Sequence, residues 1–393
     1  MKKLILVVPL FLFGIISFSQ SINKTMLRLP DTGVTTSYTT TFGEDNDYTI
    51  NDPFFILNGN GTVTDTITGL MWQQTDGGEV TIENAQLYCD TLTLGSYTDW
   101  RLPNAHESFS ILNHQYANPA LDATVFTTTL AQYWWTSDRQ ANDSNKVWAT
   151  NSGGGIGNHP KTETISAGGS KRFNVRAVRE ITTPMLIPNQ FTDNGNGTST
   201  DNLTNLIWQK TPYTDTLTWE QALTYADTLS LTGSSDWRLP NIKELQSIND
   251  ETLINPSLNT NFFSVTSAKK YWSSTTLPNQ TTKAWYLDTQ FGITTYDFKA
   301  LKHNLICVKG NQTATGVNEI EMLIISVFPN PFKTSISLKN KSGNEIFELT
   351  NYVGEIIYAG KNIEQQNFNS LTNGIYFLKV VDKRTSIIKL LKE

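Results

Sequence analysis

One hexapeptide occurs twice in this chain, as Asp99-Trp100-Arg101-Leu102-Pro103-Asn104 and again as Asp236-Trp237-Arg238-Leu239-Pro240-Asn241. Other segments recur at the same offset of 136 to 137 residues: Asn58-Gly59-Asn60-Gly61-Thr62 and Asn194-Gly195-Asn196-Gly197-Thr198, Trp72-Gln73 and Trp208-Gln209, Asn118-Pro119 and Asn255-Pro256, Lys146-x-Trp148 and Lys283-x-Trp285. Near the ends the offset falls to about 130, because the first copy has a longer Gly-rich loop around 153–169. Two copies of this length are too few for a solenoid, so they predict tandem globular domains at 51–181 and 188–310.

Each copy has the pattern of a mixed, α+β secondary structure. The Asn-Gly-Asn-Gly segments lie between β-prone runs and indicate hairpin turns, in which Gly and Asn take positive φ. Thr218 followed by Gln221 forms a capping box before a helical pattern that also occurs at 81–92. A second short helix is predicted to begin near Asn241. Strands are predicted at Tyr271-Trp272, Ala284 to Leu287 and Leu305 to Val308.

The Trp and Arg residues of the repeats are predicted to be structural. All ten Trp lie in the repeats, five in each copy, and four pairs occupy matched positions. A large ring kept in register in both copies indicates a core position rather than a ligand platform. Arg101 and Arg238 are expected to be partly buried and bonded to backbone or to a carboxylate such as Glu107 or Glu244.

The first 19 residues predict a secretory signal peptide. Met1-Lys2-Lys3 precedes an apolar run from Leu4 to Ile16, and Ser17-Phe18-Ser19 supplies small residues for cleavage before Gln20. Loss of this leader would leave 28 basic and 36 acidic residues, a net charge of −8. Such a chain repels polyanions, so nucleic acid is not an expected partner. No later stretch is long and apolar enough to predict a transmembrane anchor.

The repeats resemble the Lcl C-terminal domain family. The matching residues are the Asn-Gly-Asn-Gly-Thr and Trp-Gln segments, the hexapeptide with Glu107 or Glu244, Tyr271-Trp272-Ser273-Ser274, and Cys307-Val308-Lys309. They cover nearly all of 188–310 and, less closely, 51–181. The lead-in at 20–50, with Leu29-Pro30-Asp31-Thr32-Gly33, resembles the segment that often precedes the family's domain.

This resemblance implies a fold and a ligand class. The fold would be C-type-lectin-like, with two helices packed on twisted antiparallel strands. The family's best-understood relative is a surface adhesin domain that binds sulfated glycosaminoglycans. A sulfated ligand needs a basic patch, and this chain is acidic. We therefore expect a neutral or weakly charged ligand.

The resemblance also bears on the two cysteines. Family members commonly pair a Cys on the first helix with a Cys on the last strand. The first copy has Cys89 on the helix but Ala177 on the strand, and the second has Cys307 on the strand but Ala226 on the helix. Each copy retains half of a bridge. We therefore expect two buried, unbridged thiols that behave as small apolar side chains.

After a polar linker at 311–319, residues 320–393 resemble the sorting domain of the type IX secretion system. The matching segments are Val327-Phe328-Pro329-Asn330-Pro331-Phe332, Asn351-x-x-Gly354-Glu355-x-Ile357, Leu371-x-Asn373-Gly374-Ile375-Tyr376-Phe377-Leu378 and Lys389-Leu390. Short strands predicted at 336–338, 346–349, 356–358, 375–381 and 386–391 indicate a small Ig-like β-sandwich. The resemblance implies export through the periplasm to the outer surface of a Gram-negative bacterium, with the secretion machinery as the partner of 320–393.

Patterns that would indicate catalytic, cofactor or metal chemistry are weak. Leu29-Pro30-Asp31-Thr32-Gly33 spells a sortase-type signal, but at the wrong end of the chain. Asp193-Asn194-Gly195-Asn196-Gly197 is similar to a calcium loop, yet Thr204 stands where a bidentate acid is expected. A hairpin turn is favoured, and a weak calcium site near Asp193 stays open. The arrangement closest to a zinc cluster is His106-Glu107 with His114, and the second copy does not repeat it.

Two functions therefore remain open. The first is an exported surface binding or adhesion protein whose repeats hold a glycan or a protein, and duplicated domains at one spacing suit avidity. The second is a secreted glycan-directed enzyme whose catalytic carboxylates the sequence does not single out. No acid–base constellation recurs between the copies, which favours binding and no enzymatic activity. The ligand-binding residues are not predicted.

Overall fold

A computed structural model describes residues 21–48, 50–127, 132–163, 168–310, 326–339, 343, 345–351, 355–381 and 385–393. The predicted signal peptide at 1–19 and the linker at 311–319 lie outside these residues. The chain divides into two compact units, Met1–Thr315 and Gly316–Glu393. Both repeats therefore lie in the first unit, and the C-terminal segment forms the second.

The first unit is a β-rich α+β structure, which confirms the predicted class. The lead-in forms β1 (Ile22–Lys24) and a 3-10 helix (Asp45–Asp47). The first repeat forms β2 (Phe55–Leu57), β3 (Thr62–Asp65), β4 (Leu70–Gln73), β5 (Glu79–Val80), α1 (Ile82–Thr91), α2 (Ala105–Ser110), β6 (Tyr133–Gln140), β7 (Asp143–Asn151), β8 (Ile156–Pro160), β9 (Phe173–Asn174) and β10 (Val178–Glu180). The second forms β11 (Met185–Ile187), β12 (Phe191–Asp193), β13 (Thr198–Asp201), β14 (Ile207–Gln209), α3 (Trp219–Thr228), α4 (Ile242–Ser247), β15 (Lys270–Thr276), β16 (Lys283–Asp288), β17 (Ile293–Phe298) and β18 (Val308–Lys309).

Local signals place the helices and hairpins as predicted. Thr218 and Gln221 form the capping box of α3, and Asn241 with Glu244 forms that of α4. The Asn-Gly-Asn-Gly segments join β2 to β3 and β12 to β13. Within these turns the glycines take positive φ and the asparagines do not, so the expectation for Asn was wrong. Glycine adopts that conformation without the steric penalty of a Cβ atom.

One eight-stranded sheet runs through both repeats, in the order β15-β16-β17-β8-β7-β6-β9-β5. The repeats meet where β17 pairs with β8 through Thr294 and Ile156, and the Ile156 N–H donates to Thr294 Oγ1 at 2.9 Å. The two residues are equivalent, since Ile156 pairs with Thr150 of β7 and Thr294 with the matching Leu287 of β16. An antiparallel pair of equivalent residues places a pseudo-two-fold axis here. We call this junction of β8 and β17 the seam.

Each repeat also has a four-stranded sheet, β10-β4-β3-β2 in the first and β12-β13-β14-β18 in the second. The strand predicted at Leu305 to Val308 is only Val308–Lys309. The Gln209 side chain explains the difference, because its Oε1 accepts the Cys307 N–H at 3.1 Å and so replaces a ladder bond. Gln73 bonds to Ala177 in the same way, which gives the repeated Trp-Gln pair a structural role.

The Trp residues are core residues, as predicted. All ten are at most 4% exposed. Trp148 and Trp285 lie in one apolar cluster that draws on both repeats, so the repeats share a core as well as a sheet. Burial of these rings stabilises the fold because each removes a large apolar surface from water.

Both cysteines are buried and unbridged, which confirms the prediction. Cys89 lies in the same apolar cluster as Ala177, and Cys307 lies in the same cluster as Ala226. Burial raises the pKa of Cys89 to about 12 and also raises that of Cys307. Neither thiol is therefore set up to react as a thiolate.

The second unit consists of strands and a short 3-10 helix (Ile363–Gln365). The strands are β19 (Ser326–Phe328), β20 (Ser337–Lys339), β21 (Ile346–Asn351), β22 (Ile356–Gly360), β23 (Gly374–Val381) and β24 (Thr385–Lys392). The last four form the sheet β22-β21-β23-β24, and β19 pairs with β20. Each of the five predicted strands is present, around a core that includes Phe332, Phe347 and Leu378. None of the helices in the described part of the chain has the length and apolarity that a membrane crossing requires.

Candidate functional site

A groove of about 290 Å³ opens beside the seam, and we call it the seam groove. The first repeat contributes Ala117, Asn118, Tyr133, Asn151, Gly153 and Gly155. The second repeat contributes Leu277, Asn279, Gln280, Trp285, Thr294, Thr295 and Tyr296. Both repeats are thus needed to form the groove, and none of these described lining residues is charged.

The first wall of the seam groove is the Gly-rich turn between β7 and β8. Asn151 Oδ1 accepts the N–H groups of Gly153 at 2.9 Å and Gly155 at 3.3 Å, which holds the turn in shape. Gly154 has a φ of +100°, and a Cβ atom there would lie 3.2 Å from the Trp285 ring. Any other residue would be strained by this conformation. Glycine therefore allows the turn to pack directly on Trp285.

The second wall is aromatic. Tyr296 is 39% exposed, whereas Trp285 is only 2% exposed. Their ring centroids lie 5.4 Å apart with perpendicular planes, so the buried Trp285 supports the exposed Tyr296. Lys283 Nζ lies 5.1 Å from the Tyr296 ring and 4.8 Å from the Phe298 ring, outside the groove lining. The groove thus offers one well-supported, accessible aromatic ring.

Amide side chains provide hydrogen-bonding capacity in the seam groove. Asn118, Asn279 and Gln280 are exposed, and their side chains bond to no other residue of the part of the chain that the structure describes. Each carboxamide has two donor hydrogens and an acceptor oxygen. These groups suit a polar, uncharged ligand.

The opposite side of the seam does not repeat this surface. Under the repeat offset and the strand register, the residues equivalent to Tyr133, Asn151, Gln280 and Tyr296 are Lys270, Asp288, Asp143 and Asn158. Sequence reasoning had not identified the groove. One sequence signal could have indicated it: of the two sets of equivalent positions, the set in the groove has aromatic and amide side chains where the other set has mostly charged ones.

The histidine cluster singled out by the sequence does not form. His106 Nε2 lies 3.0 Å from Glu251 Oε1 in the second repeat, and His114 Nε2 lies 2.9 Å from the Gly154 carbonyl oxygen. Burial lowers the pKa of His114 to about 3, so this ring is neutral at physiological pH. Across the described residues, no group of three or more His, Cys, Asp or Glu side chains could hold a metal ion.

The arginines of the hexapeptide form the predicted ion pairs. Arg238 binds Glu244 with two bonds of 2.6 Å, and both side chains are almost fully buried. Arg101 binds Glu107 with two bonds of 2.7 Å and also contacts Glu180, which the sequence analysis missed. Each carboxylate also caps the helix that follows the hexapeptide. These charges fix the turn and are not available to a ligand.

A second polar cluster lies under the lead-in. Lys243 Nζ donates to the carbonyl oxygens of Asp31 and Ser110, at 2.7 Å each, and Asp45 accepts from Thr275 Oγ1 at 2.6 Å. Burial raises the pKa of Asp31 to about 6 and also raises that of Asp45. Asp31, Asp45 and Lys243 are at most 6% exposed, so this enclosed cluster holds the lead-in against the repeats. The sortase-like pentapeptide is part of this buried segment.

The Asp193 loop is a hairpin turn, as favoured. The Asp193 carboxylate pairs with Lys210 and accepts the Gly195 N–H at 3.0 Å. Thr204, at the position where a calcium loop would have an acid, donates to Asp201 at 2.6 Å. The Asp193 carboxylate is thus already paired with a cation.

Comparisons with known proteins agree with this organisation. The sequence profile of the Lcl C-terminal domain matches residues 61–179 and 197–309, and that of the secretion system C-terminal sorting domain matches 326–392. No curated protein matches the chain. Among solved structures, the chain is similar to PorZ, an essential bacterial surface component of the type IX secretion system of Porphyromonas gingivalis, at 13% identity. That alignment covers 88% of this chain and only 39% of the PorZ chain, with a TM-score of 0.17, which is too low to support an argument.

Proposed function

The chain belongs to the Lcl C-terminal domain family, and because it also carries a C-terminal sorting domain, we propose that it is an exported binding protein of the cell surface. The sorting domain indicates secretion through the type IX system and interaction with that machinery. The outer surface of a Gram-negative cell is the destination that fits such a domain.

The seam groove is the observation that carries the binding function. It is open to solvent, both repeats form it, and its described lining combines one exposed ring with amides that lack internal partners. Concave surfaces with a few convergent polar groups are the usual form of ligand sites. A neutral glycan or an uncharged protein segment fits this lining. A sulfated ligand does not, because none of the described lining residues is basic.

A C-type-lectin-like fold for each repeat and an Ig-like fold for the sorting domain are consistent with the strands and helices described above. Both remain part of the proposal. In this interpretation the repeats act in adhesion, with the surface-attached protein holding a ligand outside the cell. The glycan-directed enzyme is less well supported, since the described lining of the groove does not include the pair of carboxylates that glycoside hydrolysis generally uses.

Binding is tested with the full exported protein, purified from the cell surface or the medium. It is applied to an array that carries neutral glycans, sulfated glycans and purified surface proteins. We expect saturable binding to an uncharged ligand, with affinity that changes less than about twofold between roughly 50 and 300 mM salt. Absence of saturable binding to any array component would refute the proposed function. A steep loss of affinity with salt would refute the neutral-ligand part and indicate a sulfated ligand.

A further inference from the structure

We propose that the seam groove is a single saccharide site for each chain, in which a neutral sugar ring stacks on Tyr296. This inference rests on the proposed binding function and adds the ligand class, the contact residues and the stoichiometry. Duplication would suggest two equivalent sites. The described residues instead form a groove at the seam, to which each repeat contributes one wall.

The chemistry of the lining matches that of a sugar. A pyranose has faces made of C–H groups and an edge of hydroxyl groups. Its C–H face packs on an aromatic ring, and Tyr296 offers such a ring, which is 39% exposed and packs at a right angle to the Trp285 ring. The hydroxyl edge needs groups that both donate and accept, and the carboxamides of Asn118 and Gln280, which bond to no other described residue, do both.

The size of the groove also limits the ligand. Its volume of about 290 Å³ is just below the range for small-molecule sites, which is roughly 300 to 1,000 Å³. One or two sugar rings fill such a space. A folded protein partner would instead need a contact of about 800 Å² on each side, far more than a groove of this size offers.

The opposite side of the seam explains why there is one site. Where the groove has Asn151 and Gln280, the equivalent positions carry Asp288 and Asp143, and Lys270 replaces Tyr133. Asn158 takes the place of Tyr296, so the stacking ring is missing. A neutral sugar would have to strip water from these charges without providing a counter-charge. The two sides have thus diverged into a binding side and a charged side.

The test uses isothermal titration of the full-length protein with the neutral glycan that binds most strongly on the array. We expect one glycan per chain. Tyr296→Ala should weaken binding at least about tenfold, because it removes the stacking ring. Asn151→Asp should weaken binding by a similar factor, because Asp retains the acceptor that holds the Gly-rich turn but adds the charge found at Asp288.

Matched controls lie close to the groove. Phe298→Ala removes an exposed ring from the same strand, and Asp288→Asn removes the charge on the opposite side of the seam. Both should bind the glycan as the wild type does. Two glycans per chain, unchanged affinity in Tyr296→Ala, or an array response confined to proteins would overturn this inference while leaving the proposed binding function intact. An array without any ligand would overturn both.

Discussion

Replacement of His106 tests how strongly the two repeats depend on each other. His106 of α2 faces Glu251 of the second repeat, with 3.0 Å between Nε2 and Oε1, and the side chains are 20% and 14% exposed. Burial alone would lower the pKa of His106, because it disfavours the charged ring. The carboxylate of Glu251, with those of Asp138 and Asp201, outweighs this effect and raises the pKa to about 9. The ordinary value is 6.5. The ring is therefore charged at physiological pH and forms an ion pair across the repeats.

The magnitude follows from this difference in pKa. A pKa held about 2.5 above the unfolded value corresponds to about 3 kcal/mol. Partial exposure of both side chains reduces this to about 2 kcal/mol. Because the pKa is raised in the folded state, the stabilisation is complete below pH 6.5 and is lost as the pH rises through 9. We expect His106→Gln to be less stable than the wild type at pH 6 by about 2 kcal/mol and equally stable above pH 9.

The assay is urea unfolding followed by Trp fluorescence, which reports on the first unit because all ten Trp lie in the repeats. The measured quantity is the difference in unfolding free energy between His106→Gln and the wild type at each pH. Lys243 also affects the measurement, because its pKa is lowered to about 8 and the unfolding free energy therefore rises with pH. This contribution is the same in both proteins, so it is removed when the difference is taken. Glu251→Gln and the double variant complete a double-mutant cycle. A difference that does not vary with pH, or a coupling near zero, would refute the reasoning.

Three further predictions address the cysteines, the hexapeptide and export. Ala226→Cys should form a disulfide with Cys307 and add up to about 4 kcal/mol, detected as one free thiol remaining in the denatured, unreduced variant where the wild type has two. Arg238→Ala should lose about 3 to 5 kcal/mol of unfolding free energy by leaving a buried carboxylate unpaired, and the more exposed Arg101→Ala should lose less, both measured by urea unfolding. Mass spectrometry of the surface form should find 1–19 and the segment after about 315 absent, and recovery of residues 389–393 on it would contradict the sorting prediction.

Much of the fold could be predicted because its signals are local or duplicated. Asn241 and Glu244 cap α4 through residues three apart, and such spacing is readable from the sequence. The duplication adds long-range information, since Trp rings and Arg–Glu pairs kept in register in both copies indicate a shared core. The Cys307 and Ala226 positions were placed together by resemblance to the family, and they lie in one cluster.

The seam and its groove could not be predicted in this way. The eight-stranded sheet crosses from one repeat to the other through one pair of residues, Thr294 and Ile156, and this pairing has no periodic signal in the sequence. Groove residues such as Asn279 and Gln280 lie in turns, where neither helical nor strand periodicity applies. The tandem repeats also suggested two separate modules, whereas they share a sheet and a core. The strand predicted at Leu305 to Val308 from β-propensity is shorter, because the Gln209 side chain accepts the Cys307 N–H.

The lead-in shows why the two repeats form one structural unit. In the first repeat, the Ala105 N–H at the start of α2 donates to the Asp138 carboxylate at 2.6 Å. The second repeat has Thr275 at the equivalent position, and the Ile242 N–H donates to its hydroxyl at 2.9 Å. Thr275 in turn donates to Asp45 of the lead-in. The lead-in therefore supplies a carboxyl group near α4, where the second repeat has Thr275 instead of an acid. The Asp45 carboxyl group thus reaches the start of α4 through Thr275, whereas the Asp138 carboxyl group contacts the start of α2 directly. The second repeat thus depends on the lead-in for its helix and on the first repeat for one wall of the groove, so a ligand in the seam groove would contact a surface that neither repeat could form as an independent module.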